Sequence, residues 1–219
     1  KSKPIKRSQE YGSYVMENIL FKISFPAEFH AQTAVEAGIS LHEKYGDKLD
    51  KILSIEVETQ EPAVRIISKT GPLHNYADRD HCLQYMIAIA MIYGKVEAMH
   101  YQDEIASNPI IDLLREKMII SENPKFSRDY LDPSKRSIAN SITLVFDDGS
   151  KSEKITVEYP VGHRNRREEG IPLLLDKFEA AIKSYYPINQ SDDILNSFLD
   201  MENLSSMSVN EMMDKLVIK

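Results

Sequence analysis

The stretch 138-IANSITLVFDDGSKSEKITVEYP-160 decides how this chain folds. Apolar and polar residues alternate on both sides of the four residues DDGS, and a period of two is typical of strands that bury one face. Asp, Gly and Ser are residues that tight turns prefer, so the stretch predicts an antiparallel hairpin. The second half of 50-DKILSIEVETQ-60 alternates in the same way and predicts another strand with one face in water.

Helical periodicity surrounds these strands. Residues 27–45 repeat apolar side chains at spacings of three and four, and Gly46 follows as the predicted C-cap. The segment 81-HCLQYMIAIAMIYG-94 is apolar almost all round, which indicates a buried helix that ends at Gly94. Other helices are predicted at 62–68, in two short turns within 101–118 with Pro109 at a helix start, at 171–186 and at 191–217, and loops at 123–137 and 161–170.

The order of these elements is helix, strand, helices, hairpin, helices. That order predicts an α+β fold and not a doubly wound βαβ sheet. The length of 219 residues suits one large domain or one and a half. Hydrophobic residues make up 42% of the chain and charged residues 28%, which is typical of a soluble globular protein.

The net charge, the length of the apolar runs and the first residues argue against several classes of protein. The formal net charge of −7 argues against a nucleic-acid partner. No apolar run approaches the length of a membrane span. The start, KSKPIKRSQE, is not followed by the apolar core of a secretory signal, and it lacks an initiator Met, so we expect a piece of a longer protein.

The single cysteine, Cys82, excludes an internal disulfide and favours a reducing compartment. It also argues against an iron–sulfur cluster, which needs several thiolates from the protein. The sequence contains no Walker A motif, no GxGxxG, no GxSxG and no His or Cys pair at zinc-binding spacing. We therefore expect no cofactor and no metal.

The stretch 71-GPLHNYADRDHC-82 concentrates polar, reactive side chains before the buried helix. Asp78 is predicted to cap that helix, with Asp80 and His81 in its first turn. Capping leaves three side chains of the stretch unexplained, and these are candidates for contact with a ligand: His74, Asn75 and Arg79.

Two further clusters have both a structural and a functional interpretation. In 21-FKISFPAEFHAQTAVEA-37, Glu28 fits a helix N-terminus, whereas Lys22 and His30 fit an anionic ligand near that helix start. Glu28 and His30 lie two positions apart, so a helix would point them in different directions.

The other cluster is 159-YPVGHRNRREEG-170, which follows a predicted strand end. Its arginines, Arg164 and Arg166 among them, have the fork geometry that binds carboxylates. The alternative is a solvated basic loop that pairs with Glu168 and Glu169.

From about residue 11 to its end, the chain resembles in one colinear block the C-terminal part of enzymes of the MmgE/PrpD family. The resemblance rests on three motifs, with the hairpin sequence between the last two: 22-KISFPAEFHAQTAVEA-37, 71-GPLHNYADRDHCLQYMIAIAMIYG-94 and 158-EYPVGHRNRREEGIPLLLDKF-178. FPAEFHAQTA and GPLxNxADRDH resemble the methylcitrate branch of the family in particular.

This resemblance implies a function. Enzymes of that branch are hydro-lyases that convert 2-methylcitrate to 2-methyl-cis-aconitate in propionate breakdown, without an iron–sulfur cluster. Another activity of the family, a decarboxylase or an epimerase of a small polycarboxylate, is one alternative. A non-catalytic dimerisation or lid module is the other.

The resemblance also implies a domain arrangement. Residues 31–165 correspond to a small α+β lid with antiparallel strands and packed helices. Residues 1–30 correspond to a linker and seam, and residues 166–219 to helices that return to the family's all-helical domain. Because the N-terminal helical domain is absent from this chain, we expect the chain alone to be inactive or nearly so.

The site residues follow from the resemblance together with the clusters above. Lys22 matches a family lysine just before the FPA segment, and Lys22, His30 and His81 are predicted to be catalytic. The predicted substrate-binding residues are Glu28, His74, Asn75, Arg79, Arg164 and Arg166. The predicted partners are a small tricarboxylate, the N-terminal helical domain of the same enzyme and a second copy in a homodimer. The implied compartment is the cytoplasm, or the mitochondrial matrix in a eukaryote.

Overall fold

The computed structural model describes residues 24–218, which form two units, one ending at Arg166 and one beginning at Arg167. The strands of the first unit are β1 Ile52–Thr59, β2 Met118–Glu122, β3 Asn140–Phe146 and β4 Ile155–Val157. Its α-helices are α1 Gln32–Tyr45, α2 Glu61–Ile66, α3 Tyr76–Asp80, α4 Leu83–Tyr93, α5 Asp103–Ala106, α6 Pro109–Glu116 and α7 Pro124–Leu131. The second unit contains α8 Arg167–Tyr185, α9 Ile188–Leu199, α10 Met201–Ser206 and α11 Val209–Lys215. These elements confirm the α+β class.

The predicted hairpin is present. Strands β3 and β4 pair antiparallel, and a bridge between Val145 and Lys151 continues the pairing towards the turn. Gly149 closes the turn, where its N–H donates to the carbonyl oxygen of Phe146 over 3.0 Å. Gly149 has a φ of +83°, a conformation in which glycine avoids the steric cost of a Cβ.

The sheet has the strand order β2-β1-β3-β4. Strands β1 and β3 pair antiparallel, with Ile55 opposite Leu144 and Val57 opposite Ile142. All four side chains are fully buried, so one face of the sheet forms part of the core.

Strand β2 was missing from the sequence prediction. It pairs parallel to β1 at the edge of the sheet, so the sheet is mixed. Its residues Met118, Ile119 and Ile120 are consecutive and apolar, and Ile119 is exposed, so no alternation marks the strand. The preceding helices α5 and α6 confirm the two short turns and the helix start at Pro109.

Helix α1 packs against β3 and β4 of the sheet and against α4. Every residue of α4 from Leu83 to Met91 is buried, which confirms the buried helix. Gly94 ends it with a φ of +65°, and a Cβ there would lie 2.6 Å from a ring carbon of His42. A side chain at position 94 would therefore be strained by both backbone and neighbour.

Gly38 of α1 permits the close approach of these two helices. A Cβ at position 38 would lie 2.9 Å from the Cβ of Ala90 in α4. Gly38→Ala is expected to lower the free energy of unfolding by about 1–2 kcal/mol, because overpacking costs more than the gain in helix propensity. Denaturant unfolding of Gly38→Ala, Ala90→Gly and the double variant tests this expectation. A coupling of at least about 0.5 kcal/mol is expected between the two sites, and a stabilised Gly38→Ala would contradict the account.

Several predicted boundaries were wrong. Residues 123–137 are not a loop throughout, because Asn123 caps α7 and Pro124 occupies its first turn. Residues 161–170 are not a loop either, since α8 begins at Arg167. Gly46 is the C-cap of α1, as predicted, and a 3-10 helix follows over Gly46–Lys51.

The helix predicted at 191–217 is interrupted twice. The side chain of Asp200 accepts a hydrogen bond from the N–H of Asn203 at the start of α10. Ser208 and Glu211 form a reciprocal capping box at the start of α11. Each cap stabilises a new helix start, and the Ser-x-x-Glu pattern was a readable signal for the second one. Within residues 24–218, no helix combines the length and the apolar character needed to cross a membrane.

Candidate active site

Glu28 and His30 lie in the turn before α1. Glu28 has extended backbone geometry, with a ψ of 145°, and caps the 3-10 helix Phe29–Ala31. Its carboxylate accepts a hydrogen bond from the N–H of His30 over 2.7 Å and contacts His30 Nδ1 at 2.8 Å. The two side chains would diverge only if both lay in a helix; Glu28 precedes the helix, and its side chain folds back over the turn.

Tyr130, near the end of α7, contacts the other ring nitrogen of the same histidine. Its hydroxyl lies 3.2 Å from His30 Nε2, and the ring centroids are 5.6 Å apart. Tyr130 was not among the predicted site residues, because it lies 100 positions away along the chain. The Asn-Pro pair at 123–124 was the available signal for α7, but no local pattern pointed from that helix to His30.

Two amide side chains, those of Asn140 and Gln32, hydrogen-bond to the backbone of this turn. The buried amide of Asn140 donates to the carbonyl oxygen of His30 over 2.9 Å and to the hydroxyl of Thr33 over 2.7 Å. The amide of Gln32 donates to the carbonyl oxygens of Phe25 and Ala27 over 2.9 and 2.8 Å. These bonds fix the backbone on both sides of His30, so the imidazole has a defined position.

The electrostatics of the turn keep Glu28 ionised near neutral pH. Burial alone would raise the pKa of Glu28, but the hydrogen bonds and charge of His30, with a smaller contribution from His81, bring this pKa below its usual value. Both the Glu28 and the His30 side chains are only 13% exposed. An ionised, largely buried carboxylate against one nitrogen of an imidazole is the arrangement that orients a histidine for proton transfer.

His81 lies at the C-terminal end of α3, close to this turn. Its Nδ1 is 2.6 Å from a carboxylate oxygen of Asp80, and its side chain is half exposed. The carbonyl oxygen of Asp80 in turn accepts a hydrogen bond from the N–H of Glu28 over 3.2 Å. The structure therefore brings three of the predicted residues, Glu28, His30 and His81, to one place.

Asn75, not Asp78, is the capping residue of this stretch. The Asn75 side chain accepts from the N–H of Asp78 over 2.9 Å and begins the short helix α3. The prediction that Asp78 caps the long buried helix was wrong, because α4 begins only at Leu83, after a break at His81–Cys82. Asp78 instead accepts from the N–H of His74, whose side chain is exposed.

The three predicted arginines all bond to protein groups. Arg79 is 6% exposed, donates to the carbonyl oxygen of Tyr101 over 2.6 Å and pairs with Asp103 over 2.6 Å. Arg166 forms a fork with both carboxylate oxygens of Glu36, at 2.8 and 2.9 Å. It thereby ties the end of the first unit to α1.

Arg164 and Lys22 complete the set of predicted residues. Arg164 is exposed and donates to the carbonyl oxygens of Pro133 and Ser134, in the loop after α7. Lys22 lies outside the described residues.

The chain belongs to the MmgE/PrpD family, because the model of the family's C-terminal domain matches residues 25–203. Individual relatives narrow the comparison. The chain is 50% identical over its whole length to 2-methylcitrate dehydratase of Escherichia coli K12, of which it covers 46%. It is 52% identical over 99% of its length to the mitochondrial 2-methylcitrate dehydratase of Yarrowia lipolytica, of which it covers 42%. It is 48% identical over its whole length to 2-methylcitrate dehydratase of Salmonella typhimurium, of which it covers 46%. The chain thus spans somewhat less than half the length of these curated relatives.

Proposed function

We propose that this chain is the C-terminal part of a 2-methylcitrate dehydratase, a hydro-lyase that converts 2-methylcitrate to 2-methyl-cis-aconitate. The observation that carries the proposal is the identity of 48–52% with 2-methylcitrate dehydratases over essentially the whole chain. The reaction belongs to propionate catabolism and uses no iron–sulfur cluster, as the family resemblance implies.

Dehydration of a tricarboxylate makes three demands on the protein. A base removes a proton next to a carboxylate, and an acid protonates the departing hydroxyl. Cations or N–H donors stabilise the charge that grows on the carboxylate. His30, oriented by Glu28, and His81 are the proposed proton-handling groups, and Lys22 is proposed as a third catalytic group in the same cleft. The clustering of Glu28, His30 and His81 supports this proposal.

The geometry divides the proposed substrate-binding residues into two groups. His74 and Arg164 have exposed side chains and are proposed to contact the carboxylates directly. Arg164 also donates to backbone carbonyl oxygens. The residues whose side chains bond to neighbouring elements or begin a helix are proposed to hold the walls of the site: Glu28, Asn75, Arg79 and Arg166.

Residues 31–165 are proposed to be the lid, residues 1–30 the seam, and residues 166–219 helices that join an N-terminal helical domain of the same enzyme. The unit boundary at Arg166 supports the second of these two limits, between the lid and the C-terminal helices. The second unit leaves large apolar side chains exposed, as helices that pack on a further domain would: Ile171, Ile188, Met201 and Val209, at 55–80%. The active form is proposed to be a homodimer in the bacterial cytoplasm or, in a eukaryote, in the mitochondrial matrix.

The full-length enzyme tests the reaction. Incubation with 2-methylcitrate is expected to generate the ultraviolet absorbance of a double bond conjugated to a carboxylate. Citrate, which lacks one methyl group, is expected to react roughly 10- to 200-fold less efficiently. Release of carbon dioxide would instead assign the enzyme as a decarboxylase of the same family. Interconversion of stereoisomers without new absorbance would assign it as an epimerase.

A further inference from the structure

All four polar groups of His30 are engaged at once. Its N–H donates to one oxygen of Glu28, and its Nδ1 contacts the other. Its carbonyl oxygen accepts from Asn140, and its Nε2 contacts the hydroxyl of Tyr130. The partners come from the turn itself, from β3 and from α7, so elements distant in sequence converge on one imidazole.

The helix that presents Tyr130 is itself fixed on both sides of that residue. The carboxylate of the neighbouring Asp129 is held between Lys125 at 2.6 Å and Lys135 at 2.7 Å. The side chain of Asn123 caps the start of the helix through the N–H of Lys125. Tyr130 therefore reaches His30 from an anchored helix end and not from a free loop.

The two side-chain partners of the imidazole select one protonation pattern. An ionised Glu28 only accepts hydrogen bonds, so it favours a proton on the adjacent Nδ1. In the neutral imidazole the lone pair then lies on Nε2, where the hydroxyl of Tyr130 donates to it. Within residues 24–218, His81 acts electrostatically on Glu28, and Asp80 is the partner of His81.

We propose that Tyr130 is a positioning residue that acts through His30, by holding Nε2 and, together with Glu28, keeping the neutral ring in its Nδ1–H tautomer. This inference rests on the proposed function, because it assigns His30 to proton transfer in the dehydration. A histidine that served packing alone would need no hydroxyl within hydrogen-bond distance of its Nε2, since 13% exposure leaves room for water.

The first test reads the tautomer and does not depend on activity. Nitrogen-15 NMR of the imidazoles, recorded on this chain at a pH where His30 is neutral, distinguishes Nδ1–H from Nε2–H. The wild type is expected to show Nδ1–H at His30, and Tyr130→Phe, which keeps Glu28 but loses the donor to Nε2, a larger fraction of Nε2–H. Tyr185→Phe, at an exposed tyrosine of the second unit, is the matched control and is expected to leave the His30 signals unchanged.

The second test is kinetic and uses the full-length enzyme. Tyr130→Phe is expected to lower kcat about 10-fold or more and to leave KM within about threefold, because the lost bond orients a proton-transfer group and not the substrate. Tyr185→Phe is expected to change neither. A Tyr130→Phe enzyme with wild-type tautomer signals, or with kcat within about twofold of an active wild type, would overturn the inference. An inactive wild type would instead contradict the proposed function. The NMR result alone would then show whether Tyr130 helps to hold His30 in its Nδ1–H tautomer.

Discussion

His30→Gln is expected to lower kcat of the full-length enzyme at least about 100-fold, which is the lower range for loss of an acid–base group. Glutamine keeps a polar side chain of similar reach, but it cannot exchange a proton with substrate or with Tyr130 near neutral pH. The ionised Glu28 would then lie against an amide in place of an imidazole. Steady-state kinetics with 2-methylcitrate, together with circular dichroism to verify the fold, measure this effect.

His42→Gln is the matched control. His42 lies in α1 and contacts the carbonyl oxygen of Met91 through its Nδ1 at 2.8 Å, so it serves the packing of α1 on α4. This variant is expected to lose stability and to keep kcat within about threefold. If His30→Gln folded normally and also kept kcat within about threefold, proton transfer would have to be assigned to another group.

Ile87→Ala is expected to lower the free energy of unfolding by about 2–5 kcal/mol, the range for truncating a fully buried aliphatic side chain. Ile87 lies in the middle of α4, which packs against both α1 and α6 and is buried along most of its length. No solvent reaches the side chain, so the lost methyl groups leave a cavity that the neighbouring helices fill only in part. Urea unfolding followed by circular dichroism gives the difference.

Leu113→Ala provides the comparison for this effect. Leu113 lies on α6 and is 56% exposed, so its truncation is expected to change the free energy of unfolding by less than about 0.5 kcal/mol. Equal losses for the two variants would contradict the assignment of α4 to the centre of the core.

Local patterns were sufficient for the elements that are periodic along the chain. The hairpin and α4 were predictable because alternation in one and continuous apolar character in the other reflect how each is buried. Strand β2 was not predictable in this way. It is a short edge strand whose apolar residues are adjacent, and only its pairing with β1 defines it. Asn75 was not predicted to be a cap, because the break between α3 and α4 that makes it one is not visible in the sequence.

For the site, too, the sequence indicated local features but not tertiary contacts. The sequence alone predicted three of the residues that cluster in the structure: Glu28, His30 and His81. Their mutual geometry was not predictable, because the Glu28 side chain folds back from a cap position instead of following helix spacing. Tyr130 and Asn140 contact His30 across 100 and 110 positions, and such tertiary contacts leave no local signal in one sequence.

The most direct test of the central claim is the activity of this chain with and without the N-terminal half of the enzyme. Dehydration of 2-methylcitrate would be followed by the absorbance of the unsaturated product, for each half alone and for the two combined. The account predicts activity only in the combined sample, because the proposed cleft lies between a helical domain and the lid. Full activity of this chain alone, or none in a combined sample that forms a stable complex, would contradict it.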